Sequence, residues 1–110
     1  MSVNSEVVHC YDRLATLTER MLELSREEEW GQLPGVESLC AALIDRLKEI
    51  EPATSLDTSQ RDQVRRSLLR VRADQEEVCR LVKPQLRILL GSIAQLQQQD
   101  SVNKAYGTTH

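Results

Sequence analysis

The sequence has few of the residue types from which catalytic and metal sites are built. It contains two histidines and three cysteines, without a CxxC pair, and its four glycines are isolated. These numbers and spacings match no zinc-ligand pattern and no glycine-rich phosphate loop. His9 and Cys10 are neighbours, but adjacent side chains of a helix point about 100° apart, a poor geometry for a nucleophile and its base. We therefore predict that the protein is not an enzyme and holds no metal or cofactor.

Long apolar stretches are also missing. No run approaches the roughly 20 apolar residues that a membrane-spanning helix needs, and the first residues do not resemble a signal peptide. Cys10, Cys40 and Cys79 all fall on or beside apolar helical positions, which predicts three buried free thiols in a reducing compartment. These observations indicate a cytoplasmic protein without membrane insertion.

Charge is unevenly divided along the chain. Residues 1–57 carry 12 acidic and 5 basic residues, a net charge of −7, whereas residues 58–110 carry 5 acidic and 9 basic residues, a net charge of +4. The basic half predicts either a solvated helix face or a contact with an acidic segment of a partner protein. Nucleic acid is not the expected partner, because the whole chain is acidic and aromatic residues make up only 3% of it.

What the sequence does contain is three sets of apolar residues that recur at steps of three and four. The sets are Val7, Cys10, Leu14, Leu17, Met21 and Leu24; Val36, Cys40, Leu43, Leu47 and Ile50; and Val64, Leu68, Val71, Val78 and Val82, with Gln75 in the slot between. This spacing places each set on one face of an α-helix. We predict a single all-α domain over residues 1–110, a small antiparallel bundle of three to four helices.

Turn and cap residues predict the boundaries of the first three helices. Helix 1 is expected from near Ser2 to about Glu28, although the acidic run 27–29 suits the start of helix 2 better than the end of helix 1. Helix 2 has Pro34 in its first turn and runs to about Ile50. Helix 3 begins near residue 59, where Ser59 and Asp62 resemble a capping box.

Pro84 predicts a break or sharp bend at residues 82–85. A fourth helix follows, and it is the element expected to be displaced, because Gly91 weakens it and residues 95–99 are largely polar. A flexible tail is expected at about residues 100–110.

Several short motifs lie at intervals that are typical of one known family. They are Tyr11-Asp12-Arg13-Leu14, Glu19-Arg20-Met21-Leu22-Glu23-Leu24, Glu29-Trp30 with Glu37 seven residues on, and Val102-Asn103-Lys104-Ala105-Tyr106-Gly107. In this order they resemble the flagellar export chaperone FliT family over nearly the whole chain. The resemblance implies a substrate-specific cytoplasmic chaperone of flagellar type III export.

The client that the resemblance implies is the flagellar filament-cap protein, held by its C-terminal segment. Members of the family are also linked to the export ATPase complex and, in some bacteria, to the flagellar master transcriptional activator. The apolar stripes are compatible with this role, because a small helical scaffold can offer an apolar groove to an amphipathic client helix.

The stripes also provide candidate binding residues. The predicted groove residues are Val36, Leu39 and Leu43 on helix 2 and Leu68, Val71 and Val78 on helix 3, with Arg65 and Arg72 at the rim. In the free protein the groove is expected to be covered by Leu86, Leu89, Ile93 and Leu96 of the fourth helix, until a client segment displaces them. Each groove residue could instead be ordinary core, and each arginine a solvated charge.

Two other classes of function stay open at this point. The same stripes would suit a structural helical-hairpin subunit of a secretion or export assembly. A direct transcription regulator would require salt-sensitive DNA binding, which the acidic chain disfavours. A homodimer is one of the arrangements that the stripes allow, since they serve packing within a chain and between chains equally well.

Overall fold

The computed structural model describes residues 2–107, with the side chains of Ala53 and of residues 99–107 left out. It contains α1 (Val3–Arg26), α2 (Leu33–Ile50) and α3 (Thr58–Gly107). Short 3₁₀ turns at Trp30–Gln32 and Glu51–Ala53 precede α2 and follow it. No strand occurs within residues 2–107, which confirms the predicted all-α fold class.

Local capping explains where α1 begins and ends. The Ser2 side chain accepts the Ser5 N–H at 3.2 Å. At the other end the Glu28 N–H bonds to the Ser25 carbonyl, and the Glu29 N–H bonds to the Leu24 carbonyl at 2.8 Å. Glu28 has a left-handed φ of 58°, so these bonds form a Schellman motif without its usual glycine.

The sequence-based assignment of the acidic run to helix 2 is therefore wrong. Glu27 and Glu28 terminate α1, and Glu29 precedes the 3₁₀ turn. The chain has to reverse here, and the Schellman bonds satisfy carbonyls that the end of α1 leaves without a partner. That gain outweighs the unfavourable placement of acids at a helix C-terminus.

The other two boundaries lie close to their predicted positions. Pro34 stands in the first turn of α2, which ends at Ile50 as expected. Helix α3 begins at Thr58, but the capping box is not the predicted pair of Ser59 and Asp62. The Gln60 N–H bonds to Asp57 Oδ1 at 2.8 Å, and the Asp57 N–H bonds to Gln60 Oε1 at 3.1 Å. The box lies two residues earlier because Asp57 and Gln60 satisfy each other's backbone.

Residues 1–79 form one compact unit, and its short connections determine the direction of its helices. The six residues 27–32 span at most about 20 Å when extended, whereas α2 is about 27 Å long. Helix α2 must therefore run antiparallel to α1. Residues 51–57 form a similarly short connection, so the part of α3 within this unit runs antiparallel to α2 and parallel to α1.

The core of this unit comes from the first two apolar stripes. The clustered buried side chains are Val7, Cys10, Leu14, Cys40, Leu47 and Ile50. From α3, Val64 and Val71 pack against this cluster and stay half-buried. Of the three cysteines, Cys10 and Cys40 are buried as predicted, but Cys79 is exposed. The prediction failed there because Cys79 follows the buried Val78 on α3 and so points about 100° away from it.

Residues 80–110 form the second unit, which is helical as far as Gly107. The predicted break at residues 82–85 is wrong, since Pro84 stands inside the helix. The alternative, a sharp bend of the helix there, stays a prediction. Lys83 and Pro84 are both exposed, so water can serve the backbone groups that a proline leaves without helical partners. The predicted flexible tail covers about residues 100–110, whose side chains lie outside the described part of the chain. The prediction of a single domain over residues 1–110 also stays a prediction. No helix in the part of the chain described is long and apolar enough to cross a membrane.

Candidate binding groove

An elongated groove of about 520 Å³ opens between the three helices of the unit formed by residues 1–79. Each helix supplies side chains spaced three or four residues apart, as expected for one helix face. The lining residues are Tyr11, Leu14, Thr18 and Met21 of α1, Glu37, Cys40, Ala41, Ile44, Leu47 and Lys48 of α2, Glu51, and Leu68, Val71 and Gln75 of α3.

The floor of the groove is apolar and belongs to the core. Leu14, Cys40 and Leu47 are buried, so they shape the floor but offer a ligand little accessible surface. The walls are different, because Ile44 and Leu68 keep 44% and 39% of their surface in water. An exposed apolar wall above an apolar floor is a surface that gains free energy when a second apolar surface covers it.

A hydrogen bond between two side chains closes one end of the groove. The Tyr11 hydroxyl of α1 donates to the Glu51 carboxylate, just beyond α2. Burial, and then the neighbouring Glu51 carboxylate, raise the pKa of Tyr11 to about 12. Tyr11 is therefore a neutral donor at physiological pH and ties the start of α1 to the end of α2.

The two buried thiols show no sign of activation. Burial raises the pKa of both Cys10 and Cys40, and the negative charges of Glu6 and Glu37 add to the rise at the respective sites. A reactive cysteine requires the opposite shift. Within the described residues, no group of histidine, cysteine and acidic side chains is arranged to hold a metal ion.

Polar contacts on the outside hold the helices around the groove. Arg46 of α2 binds Glu6 of α1 through two hydrogen bonds, of 2.6 and 3.1 Å. Arg70 of α3 binds Glu19 of α1 at 3.1 Å. These contacts lie away from the groove lining, so a ligand can enter it without breaking them.

A second cleft separates α1 from α3, and it is polar. It is lined by Ser5, Val8, His9, Asp12, Gln63, Arg66, Ser67 and Arg70. Its mixture of acidic and basic side chains offers little apolar surface, so it is a weaker site for an apolar segment than the groove.

Only some of the residues predicted from the stripes line the groove. Leu68 and Val71 line the groove. Leu43 packs against the core cluster and Val36 is half-buried, but neither lines the groove. Two further groove candidates also lie outside the lining: Leu39 is exposed and Val78 is 8% exposed.

The remaining predicted residues lie elsewhere on the surface. Arg65 and Arg72 are exposed on α3 and do not line the groove. The four residues predicted to cover the groove are Leu86, Leu89, Ile93 and Leu96, all exposed within the second unit. Their proposed role as a cover stays a prediction.

Sequence reasoning missed most of the α2 wall. The predicted stripe on α2 was chosen from its most apolar positions, which are Val36, Cys40, Leu43, Leu47 and Ile50. The groove uses the adjacent stripe, which contains Glu37, Ala41, Ile44 and Lys48. Ile44 was the available signal, because a large apolar residue outside the main stripe widens the apolar face of α2.

Comparisons with known proteins agree with the resemblance. The family model described as "Flagellar protein FliT" matches residues 8–108. The flagellar protein FliT of Photorhabdus laumondii is 28% identical over 110 residues, covering 97% of this chain and 86% of that protein. The FliT proteins of Yersinia pestis and Yersinia enterocolitica are 26% and 27% identical over 97 residues, covering 88% of this chain and 81% of each relative. This chain belongs to the FliT family of flagellar proteins.

Proposed function

We propose that this chain is a cytoplasmic, substrate-specific chaperone of flagellar type III export that binds the C-terminal segment of the filament-cap protein in its apolar groove. The observation that carries the proposal is the groove itself, whose buried apolar floor is flanked by the exposed walls Ile44 and Leu68. Membership of a flagellar family supports the client class.

The groove has dimensions that suit a helical client segment. Its α2 wall runs from Glu37 to Lys48, which is about 16 Å or three helical turns. Three turns accommodate apolar side chains at positions i, i+3 or i+4, and i+7 of an amphipathic helix, the pattern used in helix-in-groove recognition. Burying each large apolar side chain of the client would contribute about 1.5–3 kcal/mol before the costs of ordering.

The test is a calorimetric titration of the full chain with the C-terminal segment of the filament-cap protein from the same organism. Leu68→Glu and Ile44→Glu each place a charge in the groove wall, so we expect at least a tenfold loss of affinity. Leu69→Glu is the matched control, because Leu69 is 56% exposed on the same helix but does not line the groove. Equal affinity of Leu68→Glu and Leu69→Glu would contradict binding in this groove.

Truncation after Lys83 tests whether the C-terminal part of α3 competes with the client. It removes Leu86, Leu89, Ile93 and Leu96, which are exposed apolar residues. Tighter client binding after truncation would support displacement of this segment. Unchanged binding would discard the displacement mechanism and leave the chaperone role intact.

The exposed apolar residues between 86 and 96 favour one alternative, a structural subunit of an export assembly. Sedimentation velocity separates the two functions, since open-ended association with rising concentration would favour the assembly subunit. The proposed contacts with the export ATPase complex and the flagellar master transcriptional activator derive from the family resemblance and need their own pull-down tests.

A further inference from the structure

One end of the groove carries an acidic side chain that has no basic partner among the side chains that the structure describes. Glu37 stands near the start of α2, is exposed, and lines the groove. Among the described side chains none forms an ion pair or hydrogen bond with its carboxylate. The helix directions place Met21 of α1 and Gln75 of α3 at this same end, and neither side chain carries a charge.

The opposite end of the groove is electrically balanced. Lys48 and Glu51 both line it, and they carry opposite charges three residues apart. The Glu51 carboxylate also accepts the hydrogen bond from the Tyr11 hydroxyl. Fixed charge in the groove is therefore concentrated at Glu37, which makes the groove asymmetric along its length.

The charge of Glu37 acts on the interior of the groove. The buried Cys40 thiol lies one turn further along α2 and belongs to the groove floor. Its pKa is raised first by burial and second by the Glu37 carboxylate. A cationic side chain brought to this end by a ligand would meet the same field, with the opposite and favourable sign.

We infer that Glu37 is a specificity-determining residue, which selects amphipathic helical segments carrying a lysine or arginine at one end of their apolar stripe. The inference rests on the proposed function, since it assumes that the groove holds a helical segment. Apolar contacts along the walls provide most of the affinity, and the ion pair at Glu37 discriminates between segments and sets their direction.

The experiment uses three synthetic helical peptides that share one apolar stripe and differ at a single terminal position, which is Lys, Gln or Glu. Both peptide ends are blocked, so that no terminal charge contributes. Each peptide can enter the groove in either direction, so a Lys end can always reach Glu37, and a Glu end can turn towards the balanced end. Titrated into the full chain at low salt, the Lys peptide should bind about threefold tighter than the Gln and Glu peptides, as expected for a surface ion pair.

Two charge-reversal variants make the test specific to position 37. Glu37→Lys should invert the order, so that the Glu peptide binds tightest. Asp45→Lys makes the same change of charge at an exposed position of α2 outside the groove, and it should preserve the original order. The differences should shrink at 1 M salt, where the screening length falls to about 3 Å.

The outcomes separate the inference from the proposed function. If the three peptides bind equally well, or if Glu37→Lys leaves the order unchanged, the role of Glu37 is overturned while the groove remains a docking site. If none of the peptides binds and the cap-protein segment is also indifferent to Leu68→Glu, the groove itself is overturned as a docking site. Inversion of the order by Glu37→Lys alone establishes the inference.

Discussion

The guanidinium of Arg46 on α2 and the carboxylate of Glu6 on α1 are joined at two points, with Nε–Oε1 at 2.6 Å and Nη2–Oε2 at 3.1 Å. This is the bidentate geometry that a planar guanidinium provides and an ammonium does not. It links the two helices that frame the binding groove. The same Arg46 also contacts Glu49, one turn along its own helix, at 3.2 Å.

We expect this pair to give the fold a dependence on acidic pH. The hydrogen bond from Arg46 holds the pKa of Glu6 below the usual glutamate value of about 4.3. Because the pKa of Glu6 is lowered in the folded state, the pair stabilises that state fully at a pH above the usual glutamate pKa. This stabilisation is lost as the pH falls through the lowered pKa of Glu6. Urea unfolding should therefore show Glu6→Gln to be less stable than the native chain at pH 7, with the difference shrinking towards pH 3.

Glu49→Gln is the control for that experiment. It removes one contact to the same arginine, but within α2 instead of between helices. A loss at pH 7 as large as that of Glu6→Gln would contradict a special role for the bond between α1 and α2.

Replacing Glu28 by glycine should stabilise the protein. Glu28 has a φ of 58°, a conformation that costs a non-glycine residue about 1 kcal/mol and that glycine adopts freely. We expect Glu28→Gly to raise the free energy of unfolding by about 1 kcal/mol, measured by urea denaturation. Glu27→Gly is the matched control, because Glu27 has a φ of −84° and glycine there only adds entropy to the unfolded chain. If both variants destabilise the protein, the Schellman turn is not the conformation that ends α1.

The hydroxyl of Tyr11 should lose its proton at a higher pH than an ordinary tyrosine does. In a Tyr106→Phe background Tyr11 is the only tyrosine, and ultraviolet absorbance should give it a pKa of about 12. Because burial is the larger cause, Glu51→Gln should lower this pKa without returning it to the usual value of about 10. The raised pKa stabilises the folded state below pH 10, and that contribution is lost as the pH rises towards 12. Titration at the usual value in the native chain would show that Tyr11 is solvated.

The three thiols should fall into two classes of reactivity. Cys79 is exposed, whereas Cys10 and Cys40 are buried, with pKa values raised by burial. Under native conditions Ellman's reagent should modify one thiol per chain rapidly and the other two only on unfolding. Cys79→Ser should abolish the rapid phase. Rapid modification of more than one thiol in the native chain would contradict the packing between α1 and α2.

Local sequence signals predicted the turn and cap regions with different success. Pro34 and Ile50 marked the start and end of α2 correctly, because proline at the first turn and the end of an apolar stripe are strong signals. The end of α1 lies within two residues of its predicted position, but the acidic run 27–29 was wrongly assigned to helix 2, because a glutamate in a left-handed conformation has no signature in the sequence. Pro84 predicted a break that does not occur, since it stands inside α3 although proline often ends a helix.

The candidate site was harder to predict than the fold. Leu68 and Val71 line the groove, whereas Val78 is buried and Leu39 is exposed outside the lining. The binding roles of all four residues stay predictions, but their different positions have one origin. A period of three to four residues shows which side chains share a helix face, but it does not show how that face is rotated towards its neighbours.

The sequence by itself determined that the chain is helical, where α2 lies, which stripe of α1 is buried, and to which family the protein belongs. These properties follow from local periodicity and from motif spacing along one chain. Only the tertiary structure decided that α2 lines the groove with Ile44 and that Cys79 is exposed. It also decided that Glu37, at one end of the groove, meets no basic partner among the described side chains. Those features depend on the rotation of each helix about its own axis, which packing against the other helices determines.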